Sequence, residues 1–200
     1  MNIMDKMKKS LLWTATLVVC LMMSACNNEP AKRSKEFPEF LVGLYGLNET
    51  ELTYEMQTAG YAIKEREQLE SERLKVVFVK NDYEVDCRLN SLVEEIWFEK
   101  RAEDISKTLV AWTKNALDMG FDCDADDYAA IQTTTDVYPY PSAESFINGL
   151  SGMSDEKIKQ AGISLHKKDN RHLCMEISCQ LAEITALSDV QRLYINVYGE

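Results

Sequence analysis

The sequence predicts an α+β fold of two related modules, each a short helical segment followed by an antiparallel β-meander, with a longer helix between them. Three observations carry this expectation. The chain echoes itself: residues 40–49 and 146–155 align Phe40 with Phe146, Gly43 with Gly149, Leu44 with Leu150 and Gly46 with Gly152. Residues 91–98 echo residues 188–195 in the same order, too far apart for a solenoid period. Apolar residues alternate with polar ones after each helical start, and one stretch between the copies carries a helical stripe.

The first module spans residues 37–100. Asn48 is a good N-cap, and Glu51 three residues on makes a capping-box variant. Leu52, Met56 and Ala59 share one face of the helix that follows, and Gly60 is placed to stop it. Gly43 and Gly46, like Gly149 and Gly152 in the second copy, are expected to turn a preceding short helix into the next one. Leu74, Val76 and Phe78 then alternate with Lys75, Val77 and Val79. Asn81-Asp82 is a turn, and Tyr83, Val85, Cys87 and Leu89 alternate with Glu84, Asp86 and Arg88. Leu92, Ile96 and Phe98 suggest a third strand.

Residues 101–141 hold the central helix and a connection. Ile105, Leu109, Trp112 and Ala116 recur at spacings of four, three and four, so they form one apolar stripe and Trp112 is expected to be buried. Gly120 ends the helix. An irregular stretch over 121–141 follows, closing with Tyr138-Pro139-Tyr140-Pro141.

The second module spans residues 142–200. Ser154 is expected to cap a short helix that Gly162 stops, with Lys157 breaking the box seen in the first copy. Leu173, Met175, Ile177, Cys179 and Leu181 form one strand face, and Leu193, Ile195 and Val197 another. This tandem of helical start and meander is similar, in element order alone, to the architecture of the beta-lactamase inhibitory proteins, which repeat a helical pair plus a four-stranded sheet.

The first 26 residues carry a separate signal. Lys6, Lys8 and Lys9 are a basic start, Leu11 to Met23 is an uncharged apolar run, and Ser24-Ala25 precede Cys26. The run is too short to span a bilayer comfortably. This pattern resembles a bacterial lipoprotein signal peptide ending in a lipobox. The resemblance implies that residues 1–25 are removed, that Cys26 is lipidated and becomes the first mature residue, and that the protein sits in the envelope of a Gram-negative bacterium, anchored by its lipid in the outer membrane. Residues 26–36, with Pro30, Lys32, Arg33 and Lys35, then read as a tether.

Charge excludes one class of partner. The whole chain has a formal net charge of -11 from 22 basic and 33 acidic residues. Removing residues 1–25 takes away three Lys and one Asp, which leaves 19 basic and 32 acidic residues, a net −13. Such a surface repels nucleic acid and anionic headgroups, so contact with the membrane is expected through the lipid only. Cys87, Cys123, Cys174 and Cys179 remain after Cys20 and Cys26. An oxidising envelope permits disulfides, but four cysteines allow three pairings and spacing does not choose among them.

Few residues form a pattern that fixes a chemistry. Neither His166 nor His172 has a hydrolase-like arrangement beside it, and no Gly-x-Ser-x-Gly occurs. His172, Cys174 and Glu176 alternate along one strand and so share a face that could offer three zinc ligands, but without paired CxxC or HxxxH spacing they read as a polar face. Asp122, Asp124, Asp126 and Asp127 crowd one turn. The spacing opens like a calcium loop, yet Asp127 replaces the required Gly and Thr133 stands where Glu is needed. Glu94, Glu95 and Glu99 near Trp97 are uninformative in so acidic a chain. Cys87 and Cys179 sit on apolar faces and read as small core hydrophobes. Tyr138 and Tyr140, held extended by Pro139 and Pro141, are the best recognition candidate. No cofactor is expected.

These readings converge on a non-catalytic, lipid-anchored binding module of the cell envelope, with an envelope protein, peptide or glycan as its partner. The competing classes are a small carboxylate-dependent hydrolase and an envelope assembly factor.

Overall fold

A computed structural model describes residues 37–69, 72–124, 127–182 and 190–199, with the side chains of Arg171, Leu181, Ala182 and Val190 left aside. The lipobox with Cys26, the tether, Asp126 and Ser188 lie outside the described residues. The described part begins with two helices, α1 (Glu39–Val42) and α2 (Glu49–Thr58), and continues as β1 (Ala62–Gln68), β2 (Leu74–Lys80), β3 (Tyr83–Asn90) and β4 (Leu92–Arg101). Helix α3 (Ile105–Asp118) leads to β5 (Phe121–Asp122), β6 (Ala129–Gln132) and β7 (Val137–Pro139). Helix α4 (Ala143–Ser151), a 3-10 turn (Asp155–Lys157) and strands β8 (Gln160–Lys167), β9 (Asn170–Ala182) and β10 (Val190–Gly199) complete it.

All ten strands join one antiparallel sheet in the order β1-β2-β3-β4-β10-β9-β8-β6-β7, with β5 also on β8. The last strand of the first segment thus pairs with the last strand of the second, Arg101 opposite Arg192 through Glu95 opposite Tyr198. The described helices pack on one face. Leu41, Leu52, Met56, Ile105, Leu109, Trp112, Phe146 and Leu150 share a single cluster with Phe78, Cys87, Phe98, Met175, Cys179 and Ile195 of the sheet. Helix and sheet therefore separate into two layers, the α+β class.

Local signals explain most elements. Asn48 accepts from the N–H groups of Thr50 and Glu51 while the Glu51 carboxylate takes the Asn48 N–H, a complete capping box. Gly60, at φ +86, ends α2, and Lys80 of β2 donates to the Ala59 carbonyl at 2.6 Å as a further cap. In α3 the expected stripe is buried, with Trp112 7% exposed and packed edge-on to Phe98.

Several expectations are corrected. Ser154 makes no side-chain cap, and only the one 3-10 turn follows it. Its neighbour Asp155 instead reaches the start of α3, taking the N–H of Ile105 at 2.7 Å and of Ser106 at 2.9 Å. It supplies the cap that Asp104, left-handed at φ 47, does not. Ile158 turns into the core, and the chain enters β8 before a helix can grow. Gly162 accordingly stops no helix. It sits within β8 opposite Ala130 and Ser178. Residues 121–141 are not irregular throughout, because buried Phe121, Ala129, Ala130 and Ile131 extend the sheet. Gly149 is not in a turn: it lies inside α4, where the Tyr140 ring occupies the space a Cβ would need. Leu92 is 49% exposed and Val93 takes the core position, since a register shift between Arg88 and Leu89 resets the alternation. Strand β1 has no apolar period; it is exposed along its whole length and held by pairing with β2.

Candidate functional site

The sheet face away from the helices carries a regular arrangement at its centre. Ile96 and Phe98 of β4 point into the core, so Trp97 between them must point outward. Register then places its neighbours. Asp86 of β3 lies opposite Trp97 on one side and Asn196 of β10 on the other. One row along, Arg88, Glu95 and Tyr198 align. One row back, Glu84, Glu99 and Tyr194 align. The result is a three-by-three grid centred on an indole 39% exposed, near the middle of a ten-stranded sheet.

Among the eight residues around Trp97, four are carboxylates and one is a guanidinium. Glu84 faces Glu99 directly, a pairing of like charges that costs stability across strands. Cations from outside the grid compensate: Lys64 binds Glu84 at 2.6 Å and Arg192 binds Glu99 at 2.6 Å. Glu95 takes the Trp97 indole N–H at 2.8 Å and pairs with Arg88 at 3.1 Å. Among the described residues three buried side-chain atoms remain without a hydrogen-bond partner: Oδ1 of Asp86, Oδ1 of Asn196 and Nε of Arg88. All belong to the grid, and Asn196 is only 6% exposed. Each buried unsatisfied group of this kind costs about 1–3 kcal/mol. Burial pushes the Asp86 carboxyl above its ordinary range, against the pull of Arg88 and Lys75. At the grid's corner a cleft of about 480 Å³ opens between Tyr45, Arg73, Arg88, Glu94, Glu95 and Tyr198.

Of the residues weighed in the sequence, Trp97, Glu95 and Glu99 belong to this grid, Glu94 lines its cleft, and Glu176 borders it opposite Asn196, whereas the tyrosine candidates fall elsewhere. Tyr138 is 43% exposed on β7 and lines a cleft of about 470 Å³ with Thr133, Thr134, Thr135, Met153 and Glu156. Tyr140 turns inward and packs edge-on against Phe146 with ring centroids 6.0 Å apart. The structure therefore does not place the two tyrosines on one exposed surface. His172, Cys174 and Glu176 do share the outer face, but His172 and Glu176 are exposed whereas Cys174 is 6% exposed, opposite His166 and Tyr198. Among the described residues no three His, Cys, Asp or Glu side chains group as a metal site.

The acidic turn has a definite partner. His166, 9% exposed, meets Asp127 at 2.9 Å through Nδ1 and Asp124 at 3.3 Å through Nε2, and Lys168 binds Asp122 at 2.8 Å. The turn is thus pinned to β8. No disulfide joins the four cysteines. Burial raises the thiols of Cys87, Cys123 and Cys179, the last two to about 11, which keeps them protonated and unreactive.

Alternation alone tells which side of β4 Trp97 occupies, but the grid needs the β4–β10 pairing, and nothing local encodes it. No family model matches the chain, and neither a curated protein nor a solved structure does. No described helix is long and apolar enough to cross a membrane.

Proposed function

We propose that this is a lipid-anchored cell-envelope protein whose folded domain is a non-catalytic binding module, presenting the sheet face away from its helices to another envelope component. The supporting observation is the grid around Trp97: an exposed indole among carboxylates and unsatisfied polar atoms, where a solvent-facing sheet needs neither. The lipobox-like Ser24-Ala25-Cys26 supports the anchor. The echo between residues 37–100 and 142–200 supports descent of the two halves from one duplicated module.

Two measurements test this reading. Cys26→Ser should release the protein from the membrane fraction or leave its precursor uncut; a variant processed and lipid-labelled like the wild type removes the anchor. A photo-crosslinking residue at Glu176, exposed on the open face, should capture a partner in native envelopes, while one at Tyr54, 64% exposed on α2, should not. Capture from Tyr54 alone would move the interface to the helical side.

A further inference from the structure

We infer that the open face takes a basic peptide segment, with a Lys or Arg side chain laid on Trp97 between Asp86 and Asn196. This rests on the binding-module reading and goes beyond it by fixing the chemistry of the partner. Three observations point the same way. The indole face is exposed, and Trp is the best aromatic platform for a cation. Three of the four carboxylates around Trp97 already hold a cation, Glu84 with Lys64, Glu95 with Arg88 and Glu99 with Arg192, so the local pull on an arriving cation comes from Asp86, and the chain's net charge of -11 steers cations toward it. The two unsatisfied atoms flanking Trp97, Oδ1 of Asp86 and Oδ1 of Asn196, are both acceptors and call for donors.

The third unsatisfied atom narrows the class. Nε of Arg88 is a donor and calls for an acceptor. A simple cation or polyamine offers none; a peptide offers its backbone carbonyls. Arg88 also lines the cleft at the corner of the grid, with Arg73, Tyr45 and Tyr198. A chain running from Trp97 into that cleft would set a carbonyl beside the Arg88 guanidinium, whose buried Nε it reaches once that side chain shifts outward, while its own basic side chain occupies the centre. A neutral sugar would stack on the indole as well, but it draws nothing from the surrounding charge. Raised by burial, the Asp86 carboxyl is the group most relieved by an arriving cation.

The test uses the mature protein and a fluorescently labelled, unstructured ten-residue peptide containing Lys and Arg, with its Glu-substituted twin and a neutral oligosaccharide as controls. Asp86→Asn is nearly isosteric and removes a desolvated charge, so it leaves the fold intact. Glu103→Gln removes the same charge at an exposed position just after β4, outside the grid. The expected result is saturable binding of the basic peptide only. Its Kd should rise at least tenfold in Asp86→Asn and in Trp97→Ala and change less than twofold in Glu103→Gln. Equal weakening by Asp86→Asn and Glu103→Gln would mean bulk charge attraction and overturn the inference. So would tighter binding of the oligosaccharide than of the peptide. If a partner crosslinks at Glu176 through a segment without Lys or Arg, this inference falls and the binding face stands. If the partner crosslinks only at Tyr54, both fall.

Discussion

Asp86 and Asp155 are carboxylates that the fold pushes in opposite directions. Burial alone would raise Asp155, but hydrogen bonds from the Ser106 hydroxyl and from the Ser106 and Ile105 N–H groups outweigh it and hold its carboxyl below the ordinary range. Its contribution is therefore complete above the unfolded-state value and is lost as pH falls through the lower folded one. Asp155→Ala should cost about 1 kcal/mol at neutral pH, as loss of a helix cap does, or about 2–4 °C in Tm, and the difference from wild type should vanish under strongly acidic conditions. Asp86 is the reverse case. Its folded value is raised, so the ionised carboxylate is a burden that lifts as pH falls through the folded value and is gone below the unfolded one. Asp86→Asn should thus raise Tm at neutral pH, with the gain disappearing on acidification. Thermal melts of both variants across pH check the signs, and a Tm lowered by Asp86→Asn at neutral pH would contradict this account. The sequence marks Asp155 only as the residue after a candidate cap. That it serves a helix fifty positions away depends on tertiary packing.

At the scale of elements, patterns with strong periodicity were readable and those held by backbone pairing were not. Helix α3 shows its stripe in sequence because Ile105, Leu109, Trp112 and Ala116 meet one continuous core. Trp112 packs edge-on against Phe98 at 5.8 Å between ring centroids, with the Lys100 ammonium 5.7 Å from its own ring centroid. Trp112→Ala should destabilise by about 3–5 kcal/mol, the usual range for a buried aromatic; a urea titration showing a loss below about 1 kcal/mol would mean that the side chain carries little of the packing. Strand β1 shows no apolar period because it lies at the sheet edge, where charged Lys64, Glu65, Arg66 and Glu67 face water and guard the edge. The short β5, β6 and β7 have two to four residues, too few to show a period. The helix expected after Ser154 failed for a related reason. The stretch is short, Ile158 is drawn into the core, and Asp155 is committed to α3.

The whole molecule follows from one pairing that no local pattern announces. Strands β2 to β4 of the first half and β9 and β10 of the second are legible as alternation, but β8, where the sequence suggests the end of a helix, is not, and neither is the union through β4 and β10 on which the candidate site depends. Asp86 and Trp97 come from the first half and Asn196 from the second. The same union predicts how the protein unfolds. Core residues of both halves form one cluster, and α3 packs Trp112 against Phe98 of β4 while also contacting α4 and β9. Neither half buries its apolar face alone. Unfolding of residues 37–200 should therefore be one cooperative transition, with Trp fluorescence, which reports Trp97 and Trp112 in and beside the first half, coinciding with far-UV circular dichroism, which reports the entire sheet. A fragment of residues 37–100 would keep β1–β4 but lose α3 and leave β4 as a bare edge with Ile96 and Phe98 half uncovered. It should show no sigmoidal melt and should tend to associate. A cooperative transition in that fragment, or two separated transitions in the longer chain, would show that the two halves fold as independent units that merely share an edge.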